Sequence, residues 1–208
     1  ASSFLSNRWA AAGSGRRAHQ AKKSILAGLS VRTGGAREAT FYNARMFVHL
    51  RLHTEFSVVD GTNRIDEVVA SAAADGQGAL AITDLSNLFG AVKFYQAARS
   101  KGVKPLLGAE LLLAGPDGAT PSRIVLLVQS TQGYLNLSEL LARAWTRSAS
   151  KTQAVASWEW LQELGDGLIA LAGAQAGPVG QALLRGDDAA ACDAALRLAG
   201  IFPHRFYL

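Results

Sequence analysis

Polar and apolar positions alternate most tellingly between Phe47 and His53, where Phe47, Val48, Leu50 and Leu52 are interleaved with His49, Arg51 and His53. This predicts a strand with two imidazoles and a guanidinium on one face. Thr54, Glu55, Ser57, Asp60 and Gly61 then predict a polar turn, and Asn63 is placed to cap a helix with Asp66 and Glu67 in its first turn. Ile65, Val68, Val69, Ala72 and Ala73 form the stripe of that helix, which Asp75 and Gly76 end. Ala79 to Thr83 reads as a short strand presenting Asp84 at its C-terminal end. Gly90 to Ser100 reads as a helix with Val92, Tyr95 and Ala98 inward, closed by Gly102. Lys104 to Ala114 predicts a strand carrying Glu110, followed by the GPDG turn from Gly115 to Gly118 and a buried strand from Arg123 to Gln129.

The second half continues the alternation with less chemistry. Leu137, Leu140, Leu141 and Ala144 form a helical stripe, and the segment from Ser148 to Ala154 is a polar link. Ser157 caps a short Trp-rich helix, Gly167 to Ala172 is a strand, and Pro178 suits a first helical turn. Asp187 or Asp188 begins a helix with Cys192, Ala195, Leu196 and Ala199 inward and Gly200 as its stop, and Arg205 to Leu208 starts another strand. Strands and helices in turn predict an α/β fold with a mainly parallel sheet, and polar side chains at strand ends suit a barrel or an open sheet equally.

Composition changes little in this picture. With 208 residues, 49% hydrophobic and 18% charged, the chain has enough apolar material for one domain with a sizeable core. Cys192 is the only cysteine, which excludes an internal disulfide and a cysteine-based zinc site and fits a reducing cytoplasm. No run reaches the roughly 18 apolar residues of a membrane-spanning helix. No P-loop or dinucleotide fingerprint occurs in a suitable context.

Charge is informative through its location. The net charge of +5 arises in residues 1–45, where eight basic residues face the single acid Glu38, a local +7 that leaves −2 for the remainder. Residues 1–45 are therefore read as a basic extension, disordered or not natively translated, with Met46 as the natural start of a domain over 46–208. A targeting segment or a nucleic-acid-binding arm is the competing reading of that extension.

The segment FVHLRLHTEFSVVDG (Phe47–Gly61), together with ALAITDLSNLFGAVKFYQAA (Ala79–Ala98), GVKPLLGAELLL (Gly102–Leu113) and IFPHRFYL at the end, resembles the PHP (polymerase and histidinol phosphatase) domain. The version it resembles is the N-terminal region of bacterial DNA polymerase III alpha subunits, from Met46 onward. The resemblance implies a distorted seven-stranded (β/α) barrel, here an incomplete one. It also implies a site where His and carboxylate ligands hold two or three divalent metals that activate water on a phosphoester.

At the positions of the family's ligands, His53, Asp60 and Glu110 agree with the pattern. Arg51 and Leu85 replace imidazoles, and Thr54, Gly61, Thr83 and Asp84 match the surrounding motifs. A guanidinium offers only donors and cannot ligate a metal. The cluster is accordingly read as vestigial, with Arg51 expected to pair with Glu110 or Asp60 instead.

The simple reading of the other polar residues is structural. His49 is a strand histidine, Glu55 and Asp66 are surface or capping acids, and Asp84 is a helix cap. Trp9, Trp145, Trp158 and Trp160 serve core or interface packing.

The resemblance implies a parent DNA-directed DNA polymerase, a nucleotidyltransferase using Mg2+, whose catalytic aspartates lie outside this chain. This stretch would then be a scaffold docking the proofreading exonuclease subunit. The other holoenzyme subunits and primed DNA would be met through the remainder. The rival from the enzyme class is a phosphoesterase or proofreading exonuclease loaded with Mn2+ or Zn2+.

Overall fold

The computed structural model describes residues 47–116, 120–148 and 152–208. The basic extension over 1–45, Met46, Trp9 and parts of the GPDG turn and of the Ser148–Ala154 link lie outside the described residues. The elements in chain order are α1 (Ile65–Ala74), β1 (Ala79–Ile82), α2 (Ala91–Ser100), β2 (Lys104–Leu113), β3 (Ser122–Val128) and α3 (Thr131–Arg147). They are followed by β4 (Val155–Ala156), α4 (Trp158–Leu164), β5 (Leu168–Leu171), α5 (Pro178–Leu184), α6 (Asp188–Ile201) and β6 (Phe206–Tyr207).

The strands form one six-stranded sheet in the order β1-β2-β3-β5-β6, with β4 against β2. The fold is mixed α/β, and the sheet is mainly parallel as expected: β1, β2, β4, β5 and β6 run one way and β3 alone is reversed. The reversal follows from chain length. Between Leu113 and Ser122 there is no room for the crossover helix that a parallel return requires, so β2 and β3 can only pair as an antiparallel hairpin. This puts the beginning of β3, with Arg123, at the end of the sheet where the other strands finish. Within the described residues the sheet does not close on itself.

One face of the sheet carries the larger core. Leu111, Leu113, Ile124, Leu126, Leu168 and Ala170 pack there against Leu137 and Leu140 of α3, Leu161 of α4 and Leu198 of α6. A second cluster joins Ile65 and Val69 of α1, Leu80 and Ile82 of β1, and Phe94 and Ala98 of α2. Each large side chain removed from water in these clusters contributes about 1.5–3 kcal/mol against the entropy of ordering the chain. The opposite face carries a smaller cluster of Ala81, Val125 and Leu127, with half-buried Leu106, Ile169 and Leu171. Glu110 lies directly across from Val125 on this second face.

Several local expectations are corrected. The inner face of α2 is Ala91, Phe94 and Ala98, while Val92 and Tyr95 are exposed. In α6 the buried positions are Ala191 and Leu198, Leu196 is exposed, and the helix runs through Gly200 to Ile201. Asn63 does not cap α1; its amide donates to the His53 carbonyl at 2.9 Å, and Arg64 stands at the helix start without a side-chain cap. Ser157 and Asp187 do cap their helices, accepting from the N–H groups of Trp160 and Ala190.

Candidate functional site

The segment from His49 to Leu52 lies alongside β1 without forming a regular ladder. Ala81 N donates to His49 O at 2.9 Å and Thr83 N to Leu52 O at 2.9 Å, so the segment advances three residues while β1 advances two. That extra residue interrupts the ladder that the alternation predicted. Leu52 N is satisfied by the Thr83 hydroxyl instead, at 2.8 Å. Beyond it, Thr54 is clamped by Asp84, whose carboxylate accepts from Thr54 N at 2.6 Å and from Thr54 Oγ1 at 2.8 Å. Asp84 thus holds the following loop and does not cap the segment after it.

The loop closes tightly. Ser57 N donates to Thr54 O at 2.8 Å and Gly61 N to Ser57 O at 2.7 Å. A Cβ at Gly61 would overlap the Thr54 carbonyl oxygen, so only glycine permits this close approach. The Ser57 hydroxyl donates to Asp60 Oδ1 at 2.7 Å and accepts from Leu85 N at 3.2 Å, fixing the loop to the end of β1.

This scaffolding brings His53, Asp60 and Glu110 together. His53 Nδ1 lies 2.8 Å from Asp60 Oδ1 and Nε2 lies 2.6 Å from Glu110 Oε2, the second being a close ionic contact off the axis of a hydrogen bond. Arg51 grips Glu110 with both edges of its fork, Nε to Oε1 at 3.2 Å and Nη2 to Oε2 at 2.8 Å. Of the two carboxylates named for Arg51, Glu110 is the one it meets. Glu110 is only 1% exposed, in the middle of β2. His49 stands apart, its ring edge-on to Phe47 at 4.6 Å. Leu85 supplies only backbone bridging, beside Glu110.

Arg123 completes the cluster and was not singled out in the sequence. Its Nη1 lies 3.2 Å from Asp60 Oδ2 and 3.3 Å from Glu110 Oε2. It pairs with Leu112 across the β2-β3 hairpin, and so is the diagonal neighbour of Glu110 on the same face. A cation opening an otherwise apolar strand was the available signal. Away from the cluster, Glu55 pairs with Lys93 at 2.9 Å, and Asp66 lies 3.6 Å from the same ammonium.

Burial pushes the Glu110 carboxyl up, but the close ionic contact of His53 and the hydrogen bonds and charge of Arg51 outweigh it and leave it below its ordinary value. Asp60 is likewise raised by burial and brought lower on balance by Ser57, His53 and Arg123. The close contact with Glu110, with the charges of Glu110 and Asp60, lifts His53 above its usual value against desolvation. Asp84 is the exception, with burial raising its carboxyl despite the two bonds from Thr54.

The donor set does not fit a divalent metal. All four oxygens of Asp60 and Glu110 are engaged by guanidinium, imidazole or hydroxyl groups. Both ring nitrogens of His53 face carboxylate oxygens, which favours the doubly protonated ring with no lone pair for a ligand bond. Arg51 and Arg123 add fixed positive charge within hydrogen-bonding distance of the cluster's carboxylates, Arg51 of Glu110 and Arg123 of both Asp60 and Glu110. Among the described residues no group of three or more His, Cys, Asp or Glu side chains is placed to hold a metal ion. What the arrangement does is electrostatic: it ties the loop over 54–61, β2 and β3 into one unit.

The PHP domain family matches residues 49–208. The chain belongs to the PHP domain family. Its PHP region is 44% identical over 164 residues to the DNA polymerase III subunit alpha of Pseudomonas aeruginosa, covering 78% of this chain and 14% of that protein. It is 46% identical over 166 residues to the subunit of the same name from Neisseria meningitidis serogroup A, again 78% of this chain and 14% of the relative. The chain therefore spans about one seventh of the length of the curated relatives it matches. A solved amidohydrolase from Chromobacterium violaceum overlaps 49% of this chain and 33% of its own at 25% identity, with a TM-score of 0.37. No helix among the described residues is long and apolar enough to cross a membrane.

Proposed function

We propose that this chain is the PHP region of a cytoplasmic DNA polymerase III alpha subunit, acting as a scaffold that supports the polymerase body and docks the proofreading exonuclease subunit. The observation that carries the reading is the grip of Arg51 and Arg123 on Glu110. Two guanidiniums satisfy electrostatically the carboxylates that a PHP phosphoesterase would commit to metal. The identity to alpha subunits supports the parent assignment. The parent would be a DNA-directed DNA polymerase using Mg2+ on primed DNA, with its reaction centre in sequence other than this PHP region.

Size-exclusion chromatography of the chain mixed with the exonuclease subunit of the same organism tests the docking. Co-elution is expected, and separate elution at micromolar concentrations would count against the scaffold. The rival reading, a Mn2+- or Zn2+-dependent phosphoesterase or exonuclease, predicts release of nucleotides from 3′-labelled DNA by the chain alone. The scaffold predicts no release with either ion.

A further inference from the structure

We draw no further inference here: the strongest candidate, the cleft of about 320 Å³ between the helices α5 and α6 and the end of the β2-β3 hairpin, lined by Trp158, Arg185 and Arg197 among others, carries nothing, because its rim at Pro116 runs into residues 117–119 outside the described ones and nothing in the structure shows what covers it.

Discussion

Alanine at Arg51 removes both hydrogen bonds that one guanidinium makes to Glu110. A hydrogen bond to a charged group contributes about 1.5–3 kcal/mol, and stripping one partner from a fully buried ion pair costs about 3–5 kcal/mol. Neither figure applies in full, because the Arg51 side chain is 53% exposed and Glu110 keeps His53 and Arg123 beside it. Discounted for solvent screening, the expected loss is about 1.5–2 kcal/mol. Glu110→Gln is the harsher change, at about 3 kcal/mol, because three cationic donors are left around a neutral amide in a buried position. In the double variant Arg51→Ala/Glu110→Gln the loss is smaller than the sum by about 1 kcal/mol or more, the signature of groups that act on each other. Urea unfolding followed by circular dichroism reads this directly. With a slope of about 1–3 kcal/mol/M, Arg51→Ala moves the midpoint by about 1 M. An Arg51→Ala midpoint within error of wild type, or losses that simply add, would refute the claim that the cluster holds this end of the sheet together.

Other consequences are equally open to measurement. His53, with its pKa raised, stabilises the fold fully below its unfolded value of about 6.5 and loses that contribution as pH rises through the native pKa. Glu110 and Asp60, with pKa values lowered, contribute above their unfolded values and lose it as pH falls through the native ones, while Asp84, raised, opposes them on the acid side. Urea midpoints should therefore decline from about pH 6 to pH 8, and His53→Gln should flatten that limb; an unchanged slope would remove His53 from the account. Gly61→Ala forces a Cβ onto the Thr54 carbonyl and is expected to cost about 2–3 kcal/mol, read as a drop in Tm, whereas Gly76→Ala, with open space around it, should cost less. Ser57→Ala strands the Leu85 N–H and one Asp60 bond, an expected loss of about 1–2 kcal/mol in the same assay.

Much of this was legible in the sequence where a residue type has one physical use. Gly76 and Gly102 ended their helices with positive φ, Ser157 capped α4, and an arginine among ligand-type residues predicted the ion pair that Arg51 makes with Glu110. The less legible features share a cause, since an apolar run does not state its direction or its facing side. The strand from Ser122 to Val128 reads the same in either orientation, so its reversal, and with it the arrival of Arg123 beside Glu110, came from the shortness of the connection after β2. Helix α2 carries apolar residues on two sides, and Phe94 rather than Tyr95 entered the core because its ring carries no hydroxyl that would need a partner there. In α6 alanines occur almost all round, leaving periodicity little to distinguish.

On the reading proposed above, guanidiniums occupy the electrostatic role of metal in this PHP domain. Equilibrium dialysis of the chain against Mn2+ and Zn2+, followed by elemental analysis of the folded protein, tests it most directly. The account predicts no stoichiometric metal in the wild type. Two or more ions per chain would contradict it, since His53, Asp60 and Glu110 would then have to release Arg51 and Arg123 to bind them.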